Sequence, residues 1–322
     1  MNNDILKEVI NSLKQTIENK GTHLHIKDPE FQPIEITKEN FHKIEEKETT
    51  VAFVDGGNAE LIAASNFSLQ LVKTAAITYK GKERLRTIRN EGFVFIQEKN
   101  NQYEVTFHGI SHQKLIFDPH DPTLTTGTKL DPSSIINPVR KILEAEIAAR
   151  AQAEIIILDG ELNPKTQQET KALEDLYTQG TVAAIAKTND LVTETGNAFI
   201  PVLRTSAPET SWIYHPLGNW KRDLAILNLH KKARYAFKAE RYPLSKLGWQ
   251  EIADSLKQNA SDPVFLGYPY GLIEADKQAR ITNQEVDYQK TKIKTKLGKE
   301  ASLLETYQTT KNTHEILDTL SF

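Results

Sequence analysis

Cysteine is absent from this sequence, and methionine occurs only once among its 322 residues. Without thiols the chain can form neither a disulfide nor a thiolate zinc site, so any metal ion must be held by oxygen or imidazole ligands. Hard divalent cations are therefore the expected class of metal.

Long hydrophobic runs are also missing. No apolar stretch approaches the roughly 20 residues that a membrane helix needs. The first residues, Met1-Asn-Asn-Asp-Ile-Leu-Lys, lack the basic-then-apolar order of a signal peptide. We therefore expect a cytoplasmic protein that has no membrane segment.

The sequence has no excess of positive charge. Its 40 Lys and Arg against 43 Asp and Glu give a formal net charge of −3. This argues against a uniformly basic nucleic-acid binder but leaves room for a local basic groove. We interpret the basic stretch at residues 80–86 as a solvated strand face in preference to a nucleic-acid contact.

Two apolar segments end in the same way. Residues 51–54 run into Asp55-Gly-Gly, and residues 155–158 run into Asp159-Gly. Each pattern predicts a short buried strand that ends at its aspartate, and glycine at the turn lets a ligand approach the backbone closely. An Asp-Gly after a strand is usually only a turn. If the two strands are parallel neighbours, however, they bring two carboxylates together.

The remaining pattern surrounds these strands with helices and an antiparallel meander. Residues 4–18 have apolar side chains at helical spacing, and we expect this helix to pack on the body or on a second subunit. Residues 20–48 are polar and predict a connecting segment, and alternating residues from Phe67 onward predict antiparallel strands. Asp131-Pro132 predicts a helix start, and that helix carries Glu144 and Glu146.

This order of elements is that of the ribonuclease H-like arrangement. We predict an α/β fold with a ribonuclease H-like mixed sheet, flanking helices and an N-terminal helical arm. The predicted units are residues 1–48, arm and linker, and residues 49–322, the nuclease-like domain. In such a sheet Asp55 and Asp159 lie side by side, facing an acidic residue of the helix.

A cluster of three carboxylates predicts a metal site, since divalent cations would offset their repulsion. Two Mn²⁺ or Mg²⁺ ions about 4 Å apart would activate a water molecule for attack on a phosphodiester. Periodicity does not separate Glu144 from Glu146. We favour Glu144, which follows Arg140 by four residues. A zinc site built from His108, His112 and His120 is disfavoured, because no fourth ligand is evident.

Motifs along nearly the whole chain resemble those of the NurA nuclease family. The matching stretches are Phe53-Val-Asp55-Gly-Gly, Arg140-Lys-Ile-Leu-Glu144, Leu158-Asp159-Gly-Glu-Leu162, Ile185-Ala-Lys187-Thr188, Gly267-Tyr268-Pro-Tyr270-Gly-Leu272 and His314-Glu-Ile-Leu-Asp318. Two positions depart from the family pattern. Gly57 stands where the family usually has serine, and Asp276 follows Ala275 where the family usually has histidine.

The resemblance implies a metal-dependent DNA nuclease with single-strand endonuclease and 5′ to 3′ exonuclease activity in the resection of DNA ends. It also implies a homodimer that works with a HerA-type hexameric ATPase. Asp55, Glu144 and Asp159 would hold the Mn²⁺ or Mg²⁺ ions. Tyr268 would position the substrate or water with Asp276 nearby, and Lys187 would contact a DNA phosphate.

Two other classes of function remain open from the sequence. An actin-like or sugar-kinase-like ATPase also begins with a strand and an Asp-Gly-Gly turn, although no second glycine-rich phosphate hairpin is evident here. A nuclease-fold adaptor would bind DNA or a partner without cutting. Asp276 favours that reading, because aspartate cannot supply the proton or the positive charge of a histidine.

Overall fold

A computed structural model describes residues 3–125, 127, 129–188 and 190–308. The motif at residues 314–318 lies outside this range. In chain order the strands are β1 (Leu24–His25), β2 (Gln32–Pro33), β3 (Phe41–Lys43), β4 (Thr50–Ala63), β5 (Phe67–Lys80), β6 (Glu83–Lys99), β7 (Gln102–His108), β8 (Leu115–Phe117), β9 (Ile155–Asp159), β10 (Thr181–Ala186), β11 (Val192–Thr193), β12 (Trp212–Tyr214), β13 (Gly218–Asn219), β14 (Asp223–Asn228) and β15 (Phe237–Arg241).

Helices surround these strands. They are α1 (Asn3–Glu18), α2 (Ile136–Ala149), α3 (Gln167–Tyr177), α4 (Phe199–Arg204), α5 (Trp249–Lys257), α6 (Tyr270–Ala279) and α7 (Asn283–Leu297). Short 3₁₀ turns lie at Lys38–Asn40, Pro132–Ile135, Gln258–Ala260 and Gly298–Glu300. Within the described ranges no helix is both long and apolar enough to cross a bilayer.

Eleven strands form one mixed sheet in the order β3-β12-β14-β15-β10-β9-β4-β5-β6-β7-β8. At its centre β4 is antiparallel to β5 and parallel to β9, and β9 is parallel to β10. The helix α2 precedes β9 in the chain and packs against β4. This is the predicted ribonuclease H-like core, and the prediction of fold class is confirmed.

The central strand β4 is longer than predicted. We expected it to end in a glycine turn after Asp55, but it continues to Ala63, paired with β5 throughout. The strand that ends near Asp55 is β9, the parallel neighbour of β4, because β9 pairs only with residues 51–54 of β4. Gly57 serves helix packing, not a turn, because a Cβ atom there would lie 2.3 Å from the carbonyl oxygen of Ala279 in α6.

Apolar side chains cover both faces of the central strands, as expected for a sheet between helices. One face of β4 and β9 packs with α5 and α6 through Val51, Phe53, Ile155, Ile157, Ile252, Leu256 and Leu272. The other face packs with α2 and α3 through Ala52, Val54, Ile156, Leu158, Ala145, Ala148 and Leu176. The start of β4 is therefore fixed on both sides.

The segment predicted to be a linker forms strands that join the body. β1 pairs with β11, β2 with β13 and β3 with β12. Its apolar residues Leu24 and Ile44 are fully buried, which explains why a largely polar segment is ordered on the body. Residues 82–87 are exposed near the β5–β6 turn, in agreement with a solvated strand face.

The amphipathic helix α1 exposes its apolar stripe. Its side chains are between 42% and 67% exposed at Ile5, Leu6, Val9, Ile10, Leu13 and Ile17. Packing of this stripe on the body of the same chain, one of the two expectations from the sequence, is therefore not observed.

Candidate active site

Asp55 lies at the point where β9 stops pairing with β4. Its side chain is buried, and its Oδ1 accepts a hydrogen bond from the backbone N–H of Gly56 at 2.7 Å. The parallel strand β9 ends beside it, at Asp159. The parallel pairing thus places the two predicted aspartates at one edge, as the sequence pattern implied.

Asp159 accepts two side-chain hydrogen bonds. Lys187, just after β10, donates from Nζ to Oδ2 at 2.7 Å, and the Tyr268 hydroxyl donates to Oδ1 at 3.3 Å. The Tyr268 ring is buried against Phe237, with ring centroids 4.9 Å apart. Burial and the negative charge of Asp159 raise the pKa of Tyr268, so this hydroxyl stays protonated as a donor.

Glu144 reaches the same edge from α2. It is buried and forms an ion pair with Arg140, whose Nη1 also donates to the carbonyl oxygen of Gly56 at 3.1 Å. A Cβ atom at Gly56 would lie 2.5 Å from Glu144 Oε1, so glycine is what allows the helix carboxylate to lie over β4. Arg140 therefore positions Glu144 against Gly56, the residue that follows Asp55.

Glu146 points elsewhere. Its Oε1 lies 2.8 Å from Nε2 of His112, and this contact raises the pKa of His112 against the opposing effect of burial. The structure therefore places Glu144 with the aspartates, and Glu146 with a histidine outside the cluster.

The three carboxylates repel one another. Burial first, and then the charge of Asp159, raise the pKa of Asp55 to about 6, although the Gly56 N–H and Lys187 oppose this rise. Burial also raises the pKa of Glu144 to about 7. Arg140 opposes this rise, and the charges of Asp55 and Asp159 add to it. The cluster thus carries more negative charge than its neighbours neutralise.

Asp276 joins the cluster through Lys187. Lys187 Nζ lies 3.9 Å from Asp276 Oδ1, and Asp276 also pairs with Arg280 on the same side of α6. Burial lowers the pKa of Lys187, but the carboxylates of Asp159, Asp55 and Asp276 outweigh burial and raise it overall. Lys187 is therefore a charged ammonium group.

A network of charged residues that sequence reasoning did not identify supports the turn after Asp159. Glu240 accepts a hydrogen bond from the backbone N–H of Leu162 at 3.0 Å and pairs with Arg222, which also contacts Glu161 at 3.2 Å. Lys238 pairs with Glu161 as well. The available signal was the alternation Lys238-Ala-Glu240 in the otherwise apolar strand β15.

The donor set fits a hard divalent cation in its chemistry, because three mutually repelling carboxylates offer oxygen ligands and unneutralised charge. In the part of the chain that the structure describes, however, no three His, Asp or Glu side chains are grouped closely enough to hold a metal ion as they stand. In addition, the Lys187 ammonium already contacts Oδ2 of Asp159, so a cation at that oxygen would have to displace it.

Comparisons with known proteins identify the fold. A model of the NurA domain matches residues 49–204. The crystal structure of the NurA nuclease from Sulfolobus solfataricus is similar over 92% of this chain and 94% of that chain, with a TM-score of 0.56 and 16% identity. A second NurA crystal structure gives a TM-score of 0.55 at 10% identity, over 94% and 98% of the two chains. Among curated proteins, no sequence matches this chain.

Proposed function

We propose that this chain, which carries a NurA domain and has the fold of the NurA nucleases, is a metal-dependent enzyme that hydrolyses phosphodiester bonds in DNA. The observation that carries the proposal is the convergence of Asp55, Glu144 and Asp159 from β4, α2 and β9 at one sheet edge. The electrostatic interaction of these carboxylates supports it further. The match to the NurA domain favours a nuclease over the actin-like ATPase.

Asp55, Glu144 and Asp159 would hold Mn²⁺ or Mg²⁺, in a pair of ions. When bound, such ions activate water and stabilise the leaving oxygen of a phosphodiester. Arg140 holds the Glu144 carboxylate toward β4, and the Gly56 N–H orients Asp55. Tyr268 donates a hydrogen bond to Asp159 and thereby helps to fix the orientation of that carboxylate.

Lys187 has a second role in this proposal. In the structure its ammonium group neutralises Asp159, with Asp276 at longer range. When cations occupy the carboxylates, the same ammonium is free to contact a DNA phosphate beside them. Asp276 then keeps Lys187 at the edge of the site, where the histidine typical of the family would repel it when protonated.

The finer activities follow the family. We propose single-strand endonuclease and 5′ to 3′ exonuclease activity in DNA end resection, with a HerA-type hexameric ATPase as partner and a cytoplasmic location. We also propose a homodimer and a functional division into an arm, residues 1–48, and a nuclease domain, residues 49–322. The exposed apolar stripe of α1 supports an additional protein contact, since such a stripe is unfavourable in water.

A non-cutting adaptor is the second candidate. It is favoured by the contact of Lys187 with Asp159, which neutralises one of the three carboxylates without a metal. An adaptor of this kind would bind DNA at the same edge of the sheet and leave it intact.

Digestion of end-labelled single- and double-stranded DNA in Mn²⁺, Mg²⁺ or EDTA separates the two candidates. We expect cleavage that requires metal and disappears in Asp55→Ala and Asp159→Ala, while Glu146→Ala cleaves like the wild type. The position of the label gives the polarity. Binding of DNA with no cleavage in any metal, even with a HerA-type ATPase and ATP, would favour the adaptor.

A further inference from the structure

A cleft of about 770 Å³ opens directly beside the carboxylates. It shares Lys187, Tyr268 and Asp276 with the candidate active site, and its outer wall comes from two loops, residues 230–236 and 262–267. We call it the loop cleft. The loop cleft is therefore the cavity adjacent to the position that a scissile phosphate would take at the carboxylates.

The loop cleft is rich in positive charge. Its lining includes one carboxylate, Asp276, and five cationic side chains, those of Lys187, Lys232, Arg234, Lys277 and Arg280. Lys187, Lys277 and Arg280 are engaged with carboxylates. Within the described residues no ion pair involves Lys232 or Arg234, and both side chains are exposed. These two cations are available to a polyanion.

Exposed aromatic rings accompany these cations. Tyr235 is 70% exposed and Phe265 is 44% exposed, and each lies on a different loop of the same cleft. Large apolar side chains exposed together beside positive charge are unfavourable in water unless they serve a ligand. Aromatic rings next to Lys and Arg form the combination that binds unpaired bases, since every base offers a flat face for stacking.

The two loops are held in place before any ligand arrives. Arg204 donates from Nη1 to the carbonyl oxygen of Arg234 at 2.6 Å and from Nη2 to that of Ala233 at 2.9 Å. Gly267, at φ +90°, packs so closely that its Cβ would lie 2.4 Å from the Cβ of Ala233. The rings are therefore presented on a fixed frame, which reduces the entropy lost on binding.

We propose that the loop cleft binds a single-stranded segment of the DNA substrate next to the scissile phosphate, with one unpaired base stacked on Tyr235 and flanking phosphates on Lys232 and Arg234. This inference rests on the proposed nuclease function and assigns the residues that bind the unpaired strand beside the carboxylates. In a duplex the base faces are covered by neighbouring bases, so only an unpaired strand can use the rings. The cleft thus selects single strands or frayed ends.

The test measures binding without cleavage. Fluorescence anisotropy in EDTA follows a labelled single-stranded oligonucleotide, and 2-aminopurine within it reports stacking by quenching of its fluorescence. We expect Tyr235→Ala to bind roughly 5- to 160-fold more weakly, the effect of losing one base–aromatic stack, and to abolish the quenching. Tyr235→Phe should retain both. Tyr288→Ala, which removes a tyrosine 61% exposed on α7, is the matched control.

Two further measurements separate stacking from charge. An oligonucleotide that is abasic at every position should bind the wild type and Tyr235→Ala equally, because no base remains to stack. Arg234→Gln should lower the slope of log affinity against log salt by about 0.7, as expected for one lost phosphate contact to a single strand. Lys231→Gln, next to Lys232 but outside the cleft lining, should leave that slope unchanged.

The outcomes distinguish this inference from the proposed function. If Tyr235→Ala binds and quenches like the wild type, the stacking site is refuted, while metal-dependent cleavage that is lost in Asp55→Ala would still support the nuclease. If the wild type shows no cleavage while single-strand binding still depends on Tyr235, the stacking site is supported. In that case the adaptor is favoured over the nuclease. Equal binding of single strands and blunt duplex would also overturn the inference.

Discussion

Replacing Asp55 by Asn should stabilise the metal-free protein while removing its function. Burial, and then repulsion from Asp159, raise the pKa of Asp55 from 3.8 to about 6. A shift of about two pKa units corresponds to about 3 kcal/mol in the free energy of unfolding. Asn has the shape of the neutral acid, and its Oδ1 still accepts the N–H of Gly56. The substitution therefore removes the charge and keeps the hydrogen bond.

The sign of the effect follows from linkage. Because the folded-state pKa of Asp55 lies above its unfolded value, the folded protein binds this proton more tightly. The destabilisation from ionised Asp55 is absent below about pH 4, grows as the pH rises toward 6 and is complete above it. Glu144, whose pKa is raised to about 7, extends the same loss of stability to slightly higher pH.

Thermal unfolding in EDTA measures this effect. With an unfolding entropy of about 2.1 cal/mol/K per residue, about 3 kcal/mol in a chain of this length raises Tm by about 4 °C. We expect that rise in Asp55→Asn at pH 8 and almost none at pH 4. In Mn²⁺ the order should reverse, because the wild type gains stability from metal binding and the variant lacks a ligand.

The control is Asp175→Asn, which removes an exposed carboxylate of α3. Its Tm should match that of the wild type at both pH values, with and without Mn²⁺. A Tm of Asp55→Asn equal to or below that of the wild type at pH 8 in EDTA would refute the idea that Asp55 carries uncompensated repulsion.

Three more substitutions test the site. Lys187→Met removes the ammonium group from Asp159. Calorimetric titration should then show that Mn²⁺ binds severalfold more tightly, while the cleavage rate falls. Weaker Mn²⁺ binding would contradict competition between this ammonium and the metal. Tyr268→Phe loses the hydrogen bond to Asp159. If that bond contributes about 1.4 kcal/mol to the transition state, the cleavage rate should fall about tenfold, with Tm nearly unchanged. A cleavage rate equal to that of the wild type would exclude a positioning role. Gly57→Ala would clash with the Ala279 carbonyl, so urea unfolding should show a loss of about 1–3 kcal/mol, and a neutral result would mean that α6 shifts easily.

The sequence determined the main elements of the fold. Apolar runs of β-branched residues locate β4, β9 and β10, and helical spacing locates α1 and α2, because these patterns depend only on near neighbours in the chain. The same runs place Asp55 and Asp159 at the boundary of the buried pairing. A carboxylate cannot continue a buried apolar run without cost, so its position marks where the apolar run ends.

Other features depend on partners that are distant in the chain. The continuation of β4 past Gly57 depends on β5 and α6, and the order of residues 24–43 depends on strands that come more than 150 residues later. Local composition is polar or glycine-rich in both places, so it indicated a linker and a turn. Hydrogen-bonding partners supplied by the tertiary structure outweighed those local preferences.

The choice between Glu144 and Glu146 also depends on the tertiary structure. Two positions that are two residues apart on a helix lie about 200° apart around its axis. The rotation of α2 on the sheet therefore decides which glutamate lies over Gly56, next to Asp55, and packing sets that rotation. The loop cleft is likewise assembled from two loops about 30 residues apart, joined where Gly267 meets Ala233. Sequence alone determined which carboxylates were available, and the tertiary structure decided which of them meet and what lies beside them.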